Sequence, residues 1–196
     1  LNGDGRADFA VGLPASHVGG KDRAGQVDIV YGKAGGWPVV PTAFALDAGG
    51  GRVLGQTAGG GLGQSIAPAG DVNGDGLSDF LVGDPANNAV YLIFGQAGPL
   101  GDLIPTALTQ ASSRERGKVF TVKQGQVGQW LAAAGDVNGD GFDDLLVGVT
   151  GLPGGKGIVY LVLGSNAATG ALAKSQTFAL DTPIGPPVVA AAFAAD

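Results

Sequence analysis

The 196-residue chain contains no cysteine. Disulfides, thiol nucleophiles, zinc–thiolate sites and iron–sulfur clusters are therefore excluded. It has one histidine, His17, and one glutamate, Glu115, so general acid–base chemistry has few candidates. His17 stands in a Gly-rich stretch beside Lys21, Asp22 and Arg23, and Glu115 lies between Arg114 and Arg116. Both read as solvated loop charges, because no Ser or Cys pattern nearby suggests a nucleophile. Basic residues are also sparse. Only 11 Lys and Arg are scattered along a chain of net charge −6. A phosphate backbone needs a basic stripe, so nucleic acid is excluded as a partner. No apolar run reaches the roughly 18 residues of a membrane-spanning helix. The triple glycines Gly49–Gly51 and Gly59–Gly61 lack the Lys-Ser/Thr of a phosphate loop.

Glycine, by contrast, is abundant, with 38 residues that do not recur at every third position, which excludes collagen. A hydrophobic fraction of 44% against 14% charged argues for a folded chain rather than a disordered one. Short strands joined by tight turns fit this composition. The acids are biased: of 17, all but Glu115 are Asp. Asp has the shorter arm and suits turns and tight ligand cages, so the bias points to ion sites in loops.

Three segments align: Leu1–Gly12, Asp71–Gly83 and Asp136–Gly148. Asp4 to Asp75 spans 71 residues and Asp75 to Asp140 spans 65. Similar runs precede two of the loops, Leu62–Gly70 and Val127–Gly135. A second apolar run ending in Gly follows each loop: Val27–Gly32, Ala89–Gly95 and Ile158–Gly164. A looser fourth run lies near Ala43–Leu46, Lys118–Val122 and Thr177–Leu180. Each unit reads as four short antiparallel strands, with the acidic loop between the first two. Runs such as Phe80-Leu81-Val82 and Tyr91–Phe94 are apolar on both faces, as blades sandwiched between blades must be. The expected fold is all-β: β-propeller blades, in three repeats with boundaries near 70 and 135 across residues 1–196. A parallel β-helix is the runner-up, but its period is much shorter.

Each loop follows D-x-N-x-D-G-x-x-D. Positions 1, 3, 5 and 9 offer side-chain oxygens, and position 7 offers a carbonyl. Calcium is a hard cation taking about six to eight oxygens. The predicted ligands are Asp71, Asn73, Asp75, Asp79 and the carbonyl of Leu77 in one loop. In the next they are Asp136, Asn138, Asp140, Asp144 and the carbonyl of Phe142. The first loop supplies Asn2, Asp4, Asp8 and the carbonyl of Arg6, with Asp196 as its candidate missing member. Gly5, Gly76 and Gly141 allow the sharp turn. Three carboxylates in nine residues repel without a cation. An acidic turn built for turn chemistry alone explains one such loop, but poorly explains three in register. An EF-hand is excluded, because its twelfth position is Val82 or Val147 here.

The chain ends read as complementary. Ile184–Ala195 is similar to the run ahead of a loop, and Asp196 followed by Leu1 would read D-L-N-G-D-G. The expectation is three repeats cut within a loop. Either two chains close a six-bladed ring, Asp196 of one completing the first loop of the other, or the segment belongs to a larger propeller, or the cut is a processing boundary.

These residues resemble the FG-GAP repeats of integrin α-subunit propellers. Leu62-Gly63 and Val127-Gly128 stand at the "FG" positions, and Gly12-Leu13-Pro14 and Gly83-Asp84-Pro85 at the "GAP" positions. Phe is replaced at each "FG", and Gly148-Val149-Thr150 lacks the Pro. The resemblance implies a non-catalytic extracellular module for adhesion or recognition. It places the calcium loops on one face. On the other it places the loops Leu13–Gln26, Asp47–Gly61, Asp84–Asn88, Lys123–Gly128 and Val149–Gly157, as a surface for a protein or glycan. Gly5-Arg6-Ala7-Asp8 lies in a metal loop and is not an adhesion tripeptide. Trp37, in a loop, and Trp130, in an expected strand and so expected in the core, are the sugar-platform candidates. The alternatives are a lectin-like propeller and the propeller of a polysaccharide-degrading enzyme.

Overall fold

The computed structural model describes residues 1–35, 50–108 and 116–166, and the backbone of two strands, Thr177–Ala179 and Val188–Val189. Trp37, Glu115, Asp196 and the run 43–46 lie outside the described residues.

Three sheets follow one another along the chain. The first holds β1 (Phe9–Leu13), β2 (Gln26–Val30) and β3 (Gly51–Leu54). The second begins with β4 (Ser65–Gly70), β5 (Asp79–Asp84) and β6 (Ala89–Ile93). The chain then leaves this sheet through β7 (Asp102–Leu103) and the one-turn helix α1 (Pro105–Leu108), and returns as β8 (Gly117–Thr121). The third contains β9 (Gln126–Gly135), β10 (Asp144–Leu152) and β11 (Lys156–Val162), and, beyond β12 (Thr177–Ala179), β13 (Val188–Val189). Each sheet is an antiparallel meander at its centre. Among the described residues no helix is long and apolar enough to cross a membrane.

The middle sheet is buried on both faces, which is why its strands lack a polar alternation. Phe80 and Val82 of β5, with Tyr91 and Ile93 of β6, pack toward Val27, Ile29 and Val53 of the first sheet. Leu81, Val90, Leu92 and Phe120 pack the other way, on Val127, Leu145, Val147 and Tyr160 of the third. Neighbouring sheets approach closely at paired glycines. A Cβ at Gly12 would collide with the carbonyl of Gly63, and one at Gly83 with the carbonyl of Gly128. Gly63 (φ +87°) and Gly128 (φ +97°) also need a conformation that L side chains rarely adopt. Glycines of the "FG" and "GAP" positions are thus the contact between successive blades.

The outer edges show a second link. Both β7 and β12 pair in parallel with the last strand of the preceding sheet, β7 on β3 and β12 on β8. The segment between the third and fourth strands of a repeat therefore straps that repeat to the one before it. Leu100, Leu103 and Leu108 of the strap are buried in the core between the first two sheets. Tyr31 Oη accepts the Leu100 amide at 2.7 Å, and Arg52 forms a forked pair with Asp102 at 2.8 and 2.6 Å.

This strap corrects two expected fourth strands. In the first repeat the strand is Gly51–Leu54, inside the segment expected to be a connecting loop. Its glycine-rich approach hides a short run that only edge pairing to β2 makes a strand. In the third repeat Thr177–Ala179 is the strap, and Val188–Val189 of the run 184–195 pairs with β11 in the place of the fourth strand. Edge pairing is decided by free backbone groups, which side-chain pattern does not rank.

Two exposures stand out. Trp130 lies in β9 as expected, yet it is 65% exposed rather than in the core. It occupies the place of Ser65, whose hydroxyl donates to the Gly128 carbonyl of the next sheet at 2.7 Å, so it sits on the face where blade meets blade. Phe9, Val11 and Leu13 are exposed by 37–39%, whereas Phe80 and Val82, and Leu145, Val147 and Val149, at the matching positions, are buried.

Leu103→Ala is expected to lower stability by about 2–5 kcal/mol, since it empties a core position that joins two sheets. Urea unfolding followed by tryptophan fluorescence measures it.

Candidate functional site

The three acidic loops share one local architecture, set by short side chains folding back on their own backbone. In the second loop Asp71 Oδ1 accepts the amides of Gly74 and Asp75 at 2.8 and 3.1 Å, and Oδ2 accepts that of Gly76 at 2.8 Å. Asn73 Oδ1 accepts the Asp75 amide and Asp75 Oδ1 the Leu77 amide, both at 2.9 Å. The third loop repeats every bond. Asp136 accepts from Gly139, Asp140 and Gly141 at 2.7, 3.1 and 2.9 Å, Asn138 from Asp140 and Asp140 from Phe142 at 3.0 Å. The first loop keeps the part for which it has residues: Asn2 accepts from Asp4 at 3.1 Å and Asp4 from Arg6 at 2.9 Å. The turn needs φ of +77°, +84° and +88° at Gly5, Gly76 and Gly141.

The ninth position behaves differently. Asp79 and Asp144 are buried, the side chain of half-buried Asp8 is covered, and each carboxylate bridges two backbone segments. Oδ2 accepts from the backbone nitrogen of the loop's second residue, Leu1 at 2.8 Å, Val72 at 3.0 Å and Val137 at 2.9 Å, and in the first loop also from the Asn2 amide at 3.2 Å. Oδ1 accepts the glycine amide that ends the third strand run: Gly32 at 2.9 Å, and Gly95 and Gly164 at 2.8 Å. The Leu1 contact is also an ion pair with Asp8. These acids lock loop entry to strand exit.

Electrostatics follow from position. Burial pushes the Asp79 carboxyl up to about 7, with the Asp75 and Asp71 charges adding to the rise and the Gly95 and Val72 amides opposing it. Asp4 and Asp136, both exposed, are held below the usual carboxylate range, chiefly by the amides of Arg6 and Gly141.

The structure thus gathers the predicted residues of each loop into one turn but aims their oxygens at amides. Among the described residues no three His, Cys, Asp or Glu side chains form a ready cage. The donor set nevertheless suits a hard cation: it is all oxygen, with carboxylates at the first, fifth and ninth positions and an amide at the third in both the second and third loops. Asp71 Oδ2, Asn73 Oδ1, both Asp75 oxygens and both Asp79 oxygens each accept a single N–H, leaving every one a lone pair. Calcium therefore fits by donor chemistry.

One residue escaped the sequence reading. Asp143, at the eighth position where Ala7 and Ser78 stand in the other loops, accepts the Asp71 amide at 2.7 Å across the boundary between sheets. Its signal was the departure of one loop from its siblings. On the opposite loop face a cleft of about 340 Å³ is lined by Gln56, Thr57, Asp84, Asn87 and Tyr91, among others. Asp84 is buried there and accepts from Asn87 at 2.8 Å, and burial pushes its carboxyl up. His17 is paired with Asp22 at 2.8 Å in an exposed loop.

Meandering sheets packed face to face, carrying repeated acidic loops, define a segment of β-propeller type. The FG-GAP repeat family matches residues 62–93 and 127–162. Integrin alpha-PS5 of Drosophila melanogaster is 32% identical over 77% of this chain and 14% of its own length. Human phosphatidylinositol-glycan-specific phospholipase D is 34% identical over 81% of this chain and 19% of its own. Integrin alpha-PS2 of Drosophila melanogaster is 34% identical over 58% of this chain and 8% of its own. The chain thus spans under a fifth of the length of these relatives. The chain carries FG-GAP repeats and is similar to integrin α subunits and to a phospholipase D.

Asp144→Ala is expected to destabilise the protein even in chelator, by about 2–6 kcal/mol, because two buried amides lose their acceptor. Exposed Asp140→Ala should leave the chelated melting temperature nearly unchanged. Calorimetry in EDTA compares them.

Proposed function

We propose that this chain is a non-catalytic, extracellular recognition module whose blades are braced by calcium in the loops between the first and second strands. The observation that carries the reading is the bond-for-bond repetition of one oxygen-rich turn in two successive FG-GAP repeats, with a partial copy in a third. Asp71, Asn73, Asp75, Asp79 and the Leu77 carbonyl hold one ion. Asp136, Asn138, Asp140, Asp144 and the Phe142 carbonyl hold the second. Asn2, Asp4, Asp8 and the Arg6 carbonyl form a third site with Asp196 of this or another chain. Bound calcium supplies the positive charge that relieves repulsion among three carboxylates. Asp79 and Asp144 then transmit loop order to the ends of β6 and β11.

Recognition falls to the opposite face, where the first–last and second–third strand connections meet and the Asp84 cleft opens. A protein ligand suits the integrin relatives. The exposed side of β1 is covered by a further blade, from a larger propeller or a second copy in a six-bladed ring. A second reading makes the module an appendage of a hydrolytic enzyme, favoured by the similarity to a phospholipase D. The glycan reading draws no support from Trp130, which lies on a blade-contact face.

Chelation is expected to lower the melting temperature, and Asp75→Ala to weaken calcium binding. With millimolar affinity or somewhat tighter, as in extracellular sites of about 10⁻⁴–10⁻³ M, saturation at 100-fold excess adds about 2.7 kcal/mol per site. Identical melting curves with and without calcium would sink the brace. Turnover by this chain alone on a phospholipid or polysaccharide panel would replace the non-catalytic reading.

A further inference from the structure

The loops are not independent turns on separate sheets; the first rests on the second and the second on the third. Leu77, at the seventh position of the second loop, sits against Gly3 of the first, where an added Cβ would come within 2.8 Å of its Cδ2. Phe142, at the same position of the third loop, lies against Gly74 of the second so closely that a Cβ there would collide with its ring. Backbone bonds follow the same step. The Gln96 amide donates to the Leu1 carbonyl at 3.1 Å, and the Ser165 amide to the Val72 carbonyl at 3.0 Å. The first and second loops are therefore each covered by the loop of the following repeat.

Between the second and third loops there is one further contact, and it falls on a predicted ligand. Asp143 grips the backbone of Asp71 at two points. Its Oδ2 accepts the Asp71 amide at 2.7 Å, and its own amide donates to the Asp71 carbonyl at 3.1 Å. Gly70, at φ +78°, makes room, because a Cβ there would collide with the Asp143 carboxylate. The matching glycine of the third loop, Gly135, meets nothing within 4 Å among the described residues. Exposure agrees: Asp71 is half-buried and Asn73 buried, whereas Asp136 and Asn138, which lack such a cover, are exposed.

We infer that Asp143 is a positioning residue for the neighbouring cation loop and couples the two sites. It belongs to the third loop, between the Phe142 carbonyl and Asp144, both assigned to the third site. Ordering that site orders Asp143. Asp143 in turn fixes the backbone of Asp71, the first ligand of the second site. The part of the ordering entropy that the second ion would otherwise bear is already spent by the first. Coupling of binding free energies is reciprocal, so occupancy of either loop raises the affinity of the other. The second and third loops therefore fill cooperatively, whereas the first, which faces Ser78, lacks this carboxylate link.

The inference rests on the calcium reading, and its test separates the two. The Gly76 and Gly141 amides donate to Asp71 and Asp136 Oδ2, so their ¹⁵N resonances report the second and third loops individually during a calcium titration. Asp140→Ala, in the exposed part of the third loop, is expected to weaken calcium at Gly76 by about five-fold or more. Asp143→Ala should weaken Gly76 to a similar degree, and the double variant should add little. Asp143→Asn keeps an acceptor for the Asp71 amide and should restore Gly76, which a purely electrostatic role would not allow. An unchanged Gly76 titration in Asp140→Ala, or an Asp143→Asn variant as weak as Asp143→Ala, overturns the coupling. Absence of any calcium response at both glycines in the unmodified chain overturns the calcium reading and the coupling with it. If Asp143→Ala fails to fold, the Asp140→Ala and Asp143→Asn arms decide the matter.

Discussion

The buried carboxylate at the ninth loop position is the interaction on which the repeat depends. Asp79 accepts one amide where the loop begins and another where the third strand ends, and Asp144 does the same one repeat later. Each residue joins three strands through two hydrogen bonds, so the loop cannot move without the sheet. Burying a carboxylate is costly unless its oxygens are met by donors, and here both are met by backbone. Their rise toward neutrality at Asp79 shows that burial is the larger influence. The same residue is a fastener in the folded chain and, in the proposed calcium site, the innermost ligand.

Around that fastener the sheets are joined in three layers. On the inner side, glycines at the strand beginnings and corners let backbones touch. In the middle, two apolar cores fill both faces of the central sheet. On the outer side, a strap from each repeat adds a parallel strand to the repeat before. The acidic loops lie along one end of this stack, and the cleft over Asp84 at the other. The acidic loops and the cleft are thus held apart by the length of a strand, while both depend on the same packing between sheets.

Much of this was legible in the residues. The acidic loops announced themselves through spacing, and Phe80-Leu81-Val82, apolar on both faces, required a sheet covered twice. Glycine at 63 and 128 pointed to the family, and the structure gives the reason in the carbonyls of Gly63 and Gly128. Other features were hidden for physical causes. Gly51–Leu54 and Val188–Val189 become strands by finding a free edge, a property of partners and not of their own pattern. Thr177–Ala179 has strand-like composition but serves as a strap, since composition does not name the neighbour. Trp130 was expected inside because it is large and in a strand, yet it stands on a face that no described element covers. Asp143 looked like one more acid in an acidic loop, and only the distance to Asp71 separates it from the others.

The parallel strap has a consequence for how the chain comes into being. The first sheet lacks its outer strand until residues near Leu103 exist, and the second lacks its own until residues near Phe178 do. During synthesis from the N-terminus, every repeat emerges before the segment that finishes it, leaving an apolar edge briefly open. Completion therefore lags by one unit along the polypeptide. Removing a single repeat by deletion would therefore strip its predecessor of a border as well.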